Sequence, residues 1–432
     1  MKNNALIIIL CGIILLLAAA LAGTLLYLKN QPPVARGVLP IVEIKPLESD
    51  SARWGINFAQ EYSTFLLTKS NNTPTTYGGA LPSSKLEKDA RLVKLFSGYG
   101  FSIDYNEERG HGNALTDVRA TKRLNEKTPG TCYSCKSSDN PKLWTEMGMA
   151  EYDKTPFKTL GKRITESIGC ANCHEAGTMN LVVTNPALEE ALKKQDKDWR
   201  KFTRQEMRTV VCANCHDEYY FAGEGKYLTL PWEKGTRIEN IADYYDEIAF
   251  SDWQHPDSKT QMIKMQHPEY ELYSADSTHY KAGVACADCH MPYTRNGAAK
   301  FSSHDIQSPL LAPEVSCGSC HTDVSYVTAR VKIIQDIVWE TQSNTEDALV
   351  AAIEAIAAAD NEQSDQTLLE EARQLHRQAQ LRWDFIAAEN SMGFHNPQEA
   401  LRILAAATNL ARQAELKAVK ASVSQELSIN HQ

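Results

Sequence analysis

The sequence is poor in histidine, with 12 in 432 residues, and poor in positive charge, with 45 Lys and Arg against 54 Asp and Glu. No block of basic residues occurs, which argues against a nucleic-acid partner. Clean alternation of apolar and polar residues is scarce, so an extensive sheet is not expected. Apart from its cysteine motifs the chain shows no strict repeat. Stray cysteines are almost absent as well: of eleven, ten fall into five C-x-x-C pairs and only Cys11 is left over.

Three chemistries use such pairs: zinc knuckles, redox dithiols and haem attachment. The following residue discriminates between them. His174, His216, His290 and His321 each stand directly after the second cysteine of a pair, and histidine is too rare here for four such placements by chance. In C-x-x-C-H two thioethers tether the porphyrin, which places the adjacent imidazole to ligate the iron. The four sites are Cys170/Cys173/His174, Cys212/Cys215/His216, Cys286/Cys289/His290 and Cys317/Cys320/His321. The first pair departs from the rule, reading Cys132-Tyr133-Ser134-Cys135-Lys136. It is either a structural or zinc dithiol beside an exposed lysine, or a fifth haem whose iron takes the deprotonated Lys136 amine. The remaining histidines, His111, His255, His267, His279, His304, His376, His395 and His431, suffice to complete four six-coordinate haems. His376 lies beside a helical apolar stripe and reads as a packed or surface residue, and His431 lies in the tail.

Ala5 to Leu28 form an uncharged run of 24 residues between Lys2 and Lys29. That exceeds a signal-peptide core of about 7–15 residues and matches a bilayer of about 30 Å. Ala20-Leu21-Ala22 before Gly23 offers a cleavage site as the alternative. Either way the bulk of the chain is exported. The expected organisation is an anchor or signal at 1–29, a linker at 30–44, a haem-bearing region at 45–325 and a long-helix region at 326–432. In the last, Leu368, Leu369, Ala372, Leu375, Ala379, Trp383, Ile386 and Ala387 mark one apolar face. Gly393 interrupts the pattern, and Asn396-Pro397 opens a final helix. The fold class is mainly α, with short helices packed on haem faces so that the cofactors serve as core.

The C-x-x-C-K site followed by four C-x-x-C-H sites resembles the pentahaem ammonia-forming cytochrome c nitrite reductases. Supporting stretches are Asp104-Tyr105-Asn106, Arg109-Gly110-His111, the run from Cys212 to Phe221, the run from Tyr244 to Trp253, Lys264 to Tyr270, and Gly393-Phe394-His395. The similarity runs from about residue 50 to the end of the chain. The resemblance implies a multihaem cytochrome c fold, five haem c groups, and a homodimer built on the C-terminal helices. It implies a nitrite-binding haem ligated by Lys136, with His111, His279, His304 and His395 as distal ligands of the other four. Arg123, Tyr219 and His267 would line the substrate pocket, with Arg119 the alternative arginine. A calcium ion would take the Glu218 and Gln266 side chains and the carbonyls of Tyr219 and Lys264, oxygen donors suited to a hard cation. The implied reaction takes nitrite to ammonium with six electrons and eight protons. The electrons would come from a membrane-bound, quinol-oxidising cytochrome, on the periplasmic side of the membrane. The competing readings are a reductase of hydroxylamine or sulfite, and a non-catalytic electron conduit.

Overall fold

The computed structural model describes residues 2–30, 40–107, 109–361 and 363–423, with backbone alone for 2–9 and 25–30. The chain divides into two compact units, Met1–Glu43 and Ile44–Gln432. In the first, Lys2–Asn30 form one helix, α1. The flanking side chains of the expected anchor or signal, and residues 31–39 of the expected linker, lie outside the described residues, as does His431. Among the described residues no helix is long and apolar enough to cross a membrane.

The second unit is mainly helical. Among the described residues its strands form only two-stranded antiparallel hairpins: β1 (Pro74–Thr75) with β2 (Gly78–Gly79), β3 (Tyr220–Ala222) with β4 (Tyr227–Thr229), β5 (Trp253–Gln254) with β6 (Gln261–Met262), and β7 (Tyr293–Asn296) with β8 (Ala299–Ser302). The scarcity of alternating sequence has this consequence. Each cysteine motif instead sits on or beside a short helical turn. The amide of His174 donates to the carbonyl of Cys170, that of His216 to Cys212 and that of His321 to Cys317, each at 2.9 Å. Positions i, i+3 and i+4 of a helical turn share a side, so both sulfurs and the imidazole point the same way. Asparagines inside the motifs lock neighbouring turns together. Asn172 Nδ2 donates to Ser137 O at 2.9 Å, just past Lys136, and Asn214 Oδ1 accepts from Thr184 N and Asn185 N at 3.0 and 3.1 Å.

Helix α2 (Ile238–Glu247) and three long helices, α3 (Val324–Ala359), α4 (Gln366–Ala388) and α5 (Pro397–Val423), complete the unit. The long helices pack on one another. Asp365 caps α4 by accepting from the amides of Thr367 and Leu368, and Pro397 opens α5. Gly393 has φ +73°, and a Cβ there would lie 2.8 Å from Val338 Cγ2 and 3.0 Å from Ala400 Cβ. Only glycine allows this turn to press α5 against α3. Leu369, Ala372, Ala379, Trp383 and Ile386 of the expected apolar face are buried, with Leu368, Leu375 and Ala387 partly so.

Helix α4 also buries a polar row. His376, Arg377, Gln380 and Asp384 are nearly inaccessible. His376 is therefore packed, its Nδ1 paired with Thr260 Oγ1 at 3.0 Å and its Nε2 with Gln380 Oε1 at 3.1 Å. Arg377 donates to Asp246 Oδ1 on α2 at 2.9 Å, to Gln261 O at 2.9 Å and to Phe250 O at 2.8 Å. Residues spaced by three and four thus fasten the β5–β6 hairpin to α4. That hairpin leads directly into Lys264, Gln266 and His267.

Candidate active site

Four pairs of imidazoles stand across narrow gaps. His111 lies opposite His216 with ring centroids 6.3 Å apart, His174 opposite His304 at 6.2 Å, His279 opposite His321 at 6.4 Å, and His290 opposite His395 at 6.2 Å. Two metal–imidazole bonds of about 2.0–2.1 Å, with roughly 1.1 Å from each nitrogen to its ring centre, put centroids about 6.2 Å apart across one iron. The gaps therefore fit six-coordinate haem. Each pair joins a C-x-x-C-H histidine to one of the four histidines expected as distal ligands. Ring orientation agrees. His174 Nδ1 pairs with Met179 O, His290 Nδ1 with Gln307 O and His304 Nδ1 with Ser302 O, each at 2.9 Å, and His395 Nδ1 with Glu389 Oε2 at 3.0 Å. With Nδ1 occupied by an acceptor, Nε2 is the nitrogen left for a metal.

The motifs adjoin in a branched chain. The Cys135 and Cys215 thiols lie close enough to act on one another, as do those of Cys212 and Cys286. Cys173 lies close enough to act on Cys215, and Cys317 on Cys289. The third motif thus adjoins the first, the second and the fourth, and the fourth adjoins the fifth. Haems on these motifs would have near neighbours at every step.

The motifs differ in depth. Nine of the ten motif cysteines are half-buried. Cys320 is not: it is exposed, together with Ser319 and His321. The reason is its place in the chain, on the turn between the short helix Pro313–Ser316 and the start of α3, at the surface end of the series of motifs. Cys320 Sγ meets only the hydroxyl of its neighbour Ser319, at 3.8 Å, among the described hydrogen bonds. The backbone still forms the motif's turn, with Cys320 N donating to Cys317 O at 3.0 Å. Cys320 therefore fits a tether at the outer rim of the protein, not one enclosed in its core.

Around the exceptional first motif several expected pocket residues converge. Burial pushes the Cys132 thiol up to about 11, and the charges that oppose this shift are those of Arg123 and Lys136. The Tyr219 phenol is held well above its ordinary range, by burial first and then by Cys135 and Cys132. Arg123 donates from Nη1 to Asp104 O at 2.8 Å, and its guanidinium lies 4.0 Å from the Phe101 ring centre. Arg119 is differently employed, bracing Gly161 O and Ile164 O at 2.9 and 2.8 Å. The His267 ring lies 6.2 Å from His216, edge to face, with its Nδ1 3.8 Å from Glu269 Oε1. Arg123, Lys136, Tyr219 and His267 are all half-buried.

The expected calcium ligands also meet. Glu218 is fully buried; its Oε2 accepts from Gln266 N at 2.6 Å and its Oε1 from the Tyr245 hydroxyl at 2.9 Å. Gln266 Nε2 donates to Lys264 O at 3.1 Å, which brings that carbonyl into the group, and Tyr219 follows Glu218 in the chain. Burial holds the Glu218 carboxyl well above the usual carboxylate range, against the pull of the Gln266 amide and the Tyr245 hydroxyl. A cation among these oxygens would restore the charged form. One carboxylate with neutral oxygens is a hard-cation set, and it fits calcium. Among the described residues no group of three or more His, Cys, Asp or Glu is arranged to hold a metal.

The family model for cytochrome c552 matches residues 50–431. The chain belongs to the cytochrome c552 family. It is 42% identical over 388 residues to the cytochrome c-552 of Parabacteroides distasonis, covering 88% of this chain and 78% of that one. It is 35% identical to the cytochrome c-552 of Maridesulfovibrio salexigens, over 96% of this chain and 85% of that one. Among solved structures, the cytochrome c nitrite reductase of Desulfovibrio desulfuricans, whose catalytic subunit is described with two calcium sites, superposes with a TM-score of 0.83. Its identity is 33%, covering 89% of this chain and 88% of that one. As a cytochrome c, the cytochrome c552 chain carries covalently bound haem c.

Two features of the chain escape a reading by motif. The buried row on α4 consists of residues that composition would assign to a solvated face; their spacing of three and four was the available signal. Glu389, buried against His395, lies in a turn with no motif of its own.

Proposed function

We propose that this protein reduces nitrite to ammonium at the Lys136 motif, fed with electrons through the four bis-histidine haems. The observation that carries this reading is the convergence of Arg123, Lys136 and Tyr219 on Cys132 and Cys135, the motif that departs from C-x-x-C-H. One nitrite, six electrons and eight protons give one ammonium and two waters. The haem iron supplies the electrons and the nitrogen-binding position. The chain's own groups do the rest. Arg123 provides the counter-charge that holds the anion and opposes charge developing on its oxygens. Tyr219 and His267 stand where they can pass protons inward. Glu218, Gln266 and the carbonyls of Tyr219 and Lys264 would hold a calcium ion, and that ion would steady the segment from which His267 projects.

The electron donor in this reading is a membrane-bound, quinol-oxidising cytochrome, and the haem-bearing body works in the periplasm. The apolar N-terminal run tethers it to the membrane; a mature N-terminus at Gly23 would overturn the tether. Residues 326–432 serve as the interface of a homodimer. The exposure of Tyr326, Ile333 and Ile337 along α3 and of Leu416 and Val419 along α5 supports that role.

The test is nitrite-dependent ammonium formation by the purified holoprotein with an artificial reductant, repeated with Lys136→His. That substitution restores an ordinary haem motif, so haem content should hold while ammonium formation falls. Full haem reduction without nitrite turnover by the wild type would instead establish an electron conduit. Preference for hydroxylamine or sulfite in the same assay would reassign the substrate.

A further inference from the structure

Glu389 follows the last residue of α4 and is 3% exposed. Its Oε2 lies 3.0 Å from His395 Nδ1. His174, His290 and His304 turn the corresponding nitrogen to neutral backbone carbonyls. A carboxylate in this place is disfavoured twice, by burial and by the negative end of the helix dipole. The turn compensates with donors: Glu389 accepts from Ser391 N at 3.1 Å, from Ser391 Oγ at 2.7 Å and from Gly393 N at 2.6 Å. Ser391 Oγ in turn accepts from His395 N at 2.8 Å, so the carboxylate and the imidazole are held by one turn.

We infer that Glu389 sets the potential of the haem ligated by His290 and His395. A carboxylate accepting the Nδ1 proton makes the imidazole a stronger donor through Nε2 than a carbonyl does. Stronger donation, together with a fixed negative charge nearby, favours ferric over ferrous iron. This haem is therefore harder to reduce than it would be with a carbonyl acceptor. It lies in the chain between the third and fifth motifs, adjoining the one through Cys286 and Cys212 and the other through Cys289 and Cys317. Each electron crossing it arrives from a neighbouring haem and leaves to the next. The inference rests on His290 and His395 being the two axial ligands of one haem.

The experiment is a redox titration of the holoprotein followed by electron paramagnetic resonance, comparing wild type with Glu389→Gln, which keeps an acceptor for Nδ1 and removes the charge. His395→Ala identifies the couple, because it should convert one low-spin signal to high-spin. In Glu389→Gln that same couple should rise by at least a tenfold change in its one-electron equilibrium, which is 59 mV. The other low-spin couples should stay in place. A couple that does not move overturns the inference. So does conversion of that signal to high-spin in Glu389→Gln, because the carboxylate would then be holding the ring and not setting its donor strength. If His395→Ala alters no low-spin haem, the ligation reading itself fails, separately from the role of Glu389.

Discussion

Asp384 grips the Lys264–Met265 step with both carboxylate oxygens, Oδ1 lying 2.8 Å from Lys264 Nζ and Oδ2 2.8 Å from Met265 N. Lys264 and Asp384 are both nearly inaccessible, and the ammonium also sits 5.0 Å from the Phe101 ring centre. Removing one partner of such a pair costs about 3–5 kcal/mol, since the other charge is left buried and alone. Asp384→Ala should lower the denaturant midpoint accordingly. Because Lys264 O is one of the proposed calcium ligands, the same variant should lose calcium at lower chelator concentration. Equal chelator curves for variant and wild type would show that the grip is structural only.

Calcium removal from the wild type should lower both nitrite turnover and thermal stability, and added calcium should restore them. The reason is Glu218, a fully buried carboxyl whose charged form needs a cation. Glu218→Gln should abolish the response to chelator. A variant that still responds would place the ion elsewhere.

The two candidate arginines should separate cleanly. Arg119→Leu strips donors from the carbonyls of Gly161 and Ile164, and should cost about 1–3 kcal/mol of stability with little change in nitrite affinity. Arg123→Leu should weaken nitrite binding, seen as a raised KM, beyond the modest stability cost of losing its bond to Asp104 O. The reverse pattern would make Arg119 the pocket arginine.

Gly393→Ala forces a positive φ on alanine and drives its Cβ to within 2.8 Å of Val338. The strain alone is worth about 1–3 kcal/mol. His395 lies two residues on, so we expect one low-spin haem signal to weaken together with the midpoint. A variant with unchanged stability would mean that the turn relaxes without resistance.

Burial pushes the Asp153 carboxyl up to about 7, against hydrogen bonds from Leu228 N and Thr131. Its folded pKa thus exceeds the unfolded value of about 3.9. The stability it contributes is complete below the unfolded value and is lost as pH rises through about 7. Asp153→Asn should flatten this part of the pH dependence, measured as urea midpoints between pH 5 and pH 8. Parallel curves for variant and wild type would refute the shift.

The haem chemistry was legible in the sequence because covalent attachment demands adjacent residues. Two sulfurs and an imidazole must sit on one helical turn, so spacing alone identifies the four C-x-x-C-H sites and marks Lys136 as the departure. Spacing does not say how deep a motif lies, and only the structure shows Cys320 exposed beside nine half-buried partners. The three long helices were legible too, since their apolar faces repeat at helical period and Gly393 and Pro397 punctuate them. The partner across each iron was another matter. Subtraction left eight histidines, and the choice of His111, His279, His304 and His395 came from resemblance, since nothing in the spacing of His304 from His174 says that their rings lie 6.2 Å apart. Long-range pairing is a property of packing. So are the burial of the polar row on α4, the grip of Asp384 on the calcium segment, and the carboxylate that Glu389 turns toward His395. A charged side chain looks the same in a sequence whether it meets water or a buried partner. Only the tertiary structure decides which, because burial removes the water that would otherwise satisfy it and makes the partner obligatory.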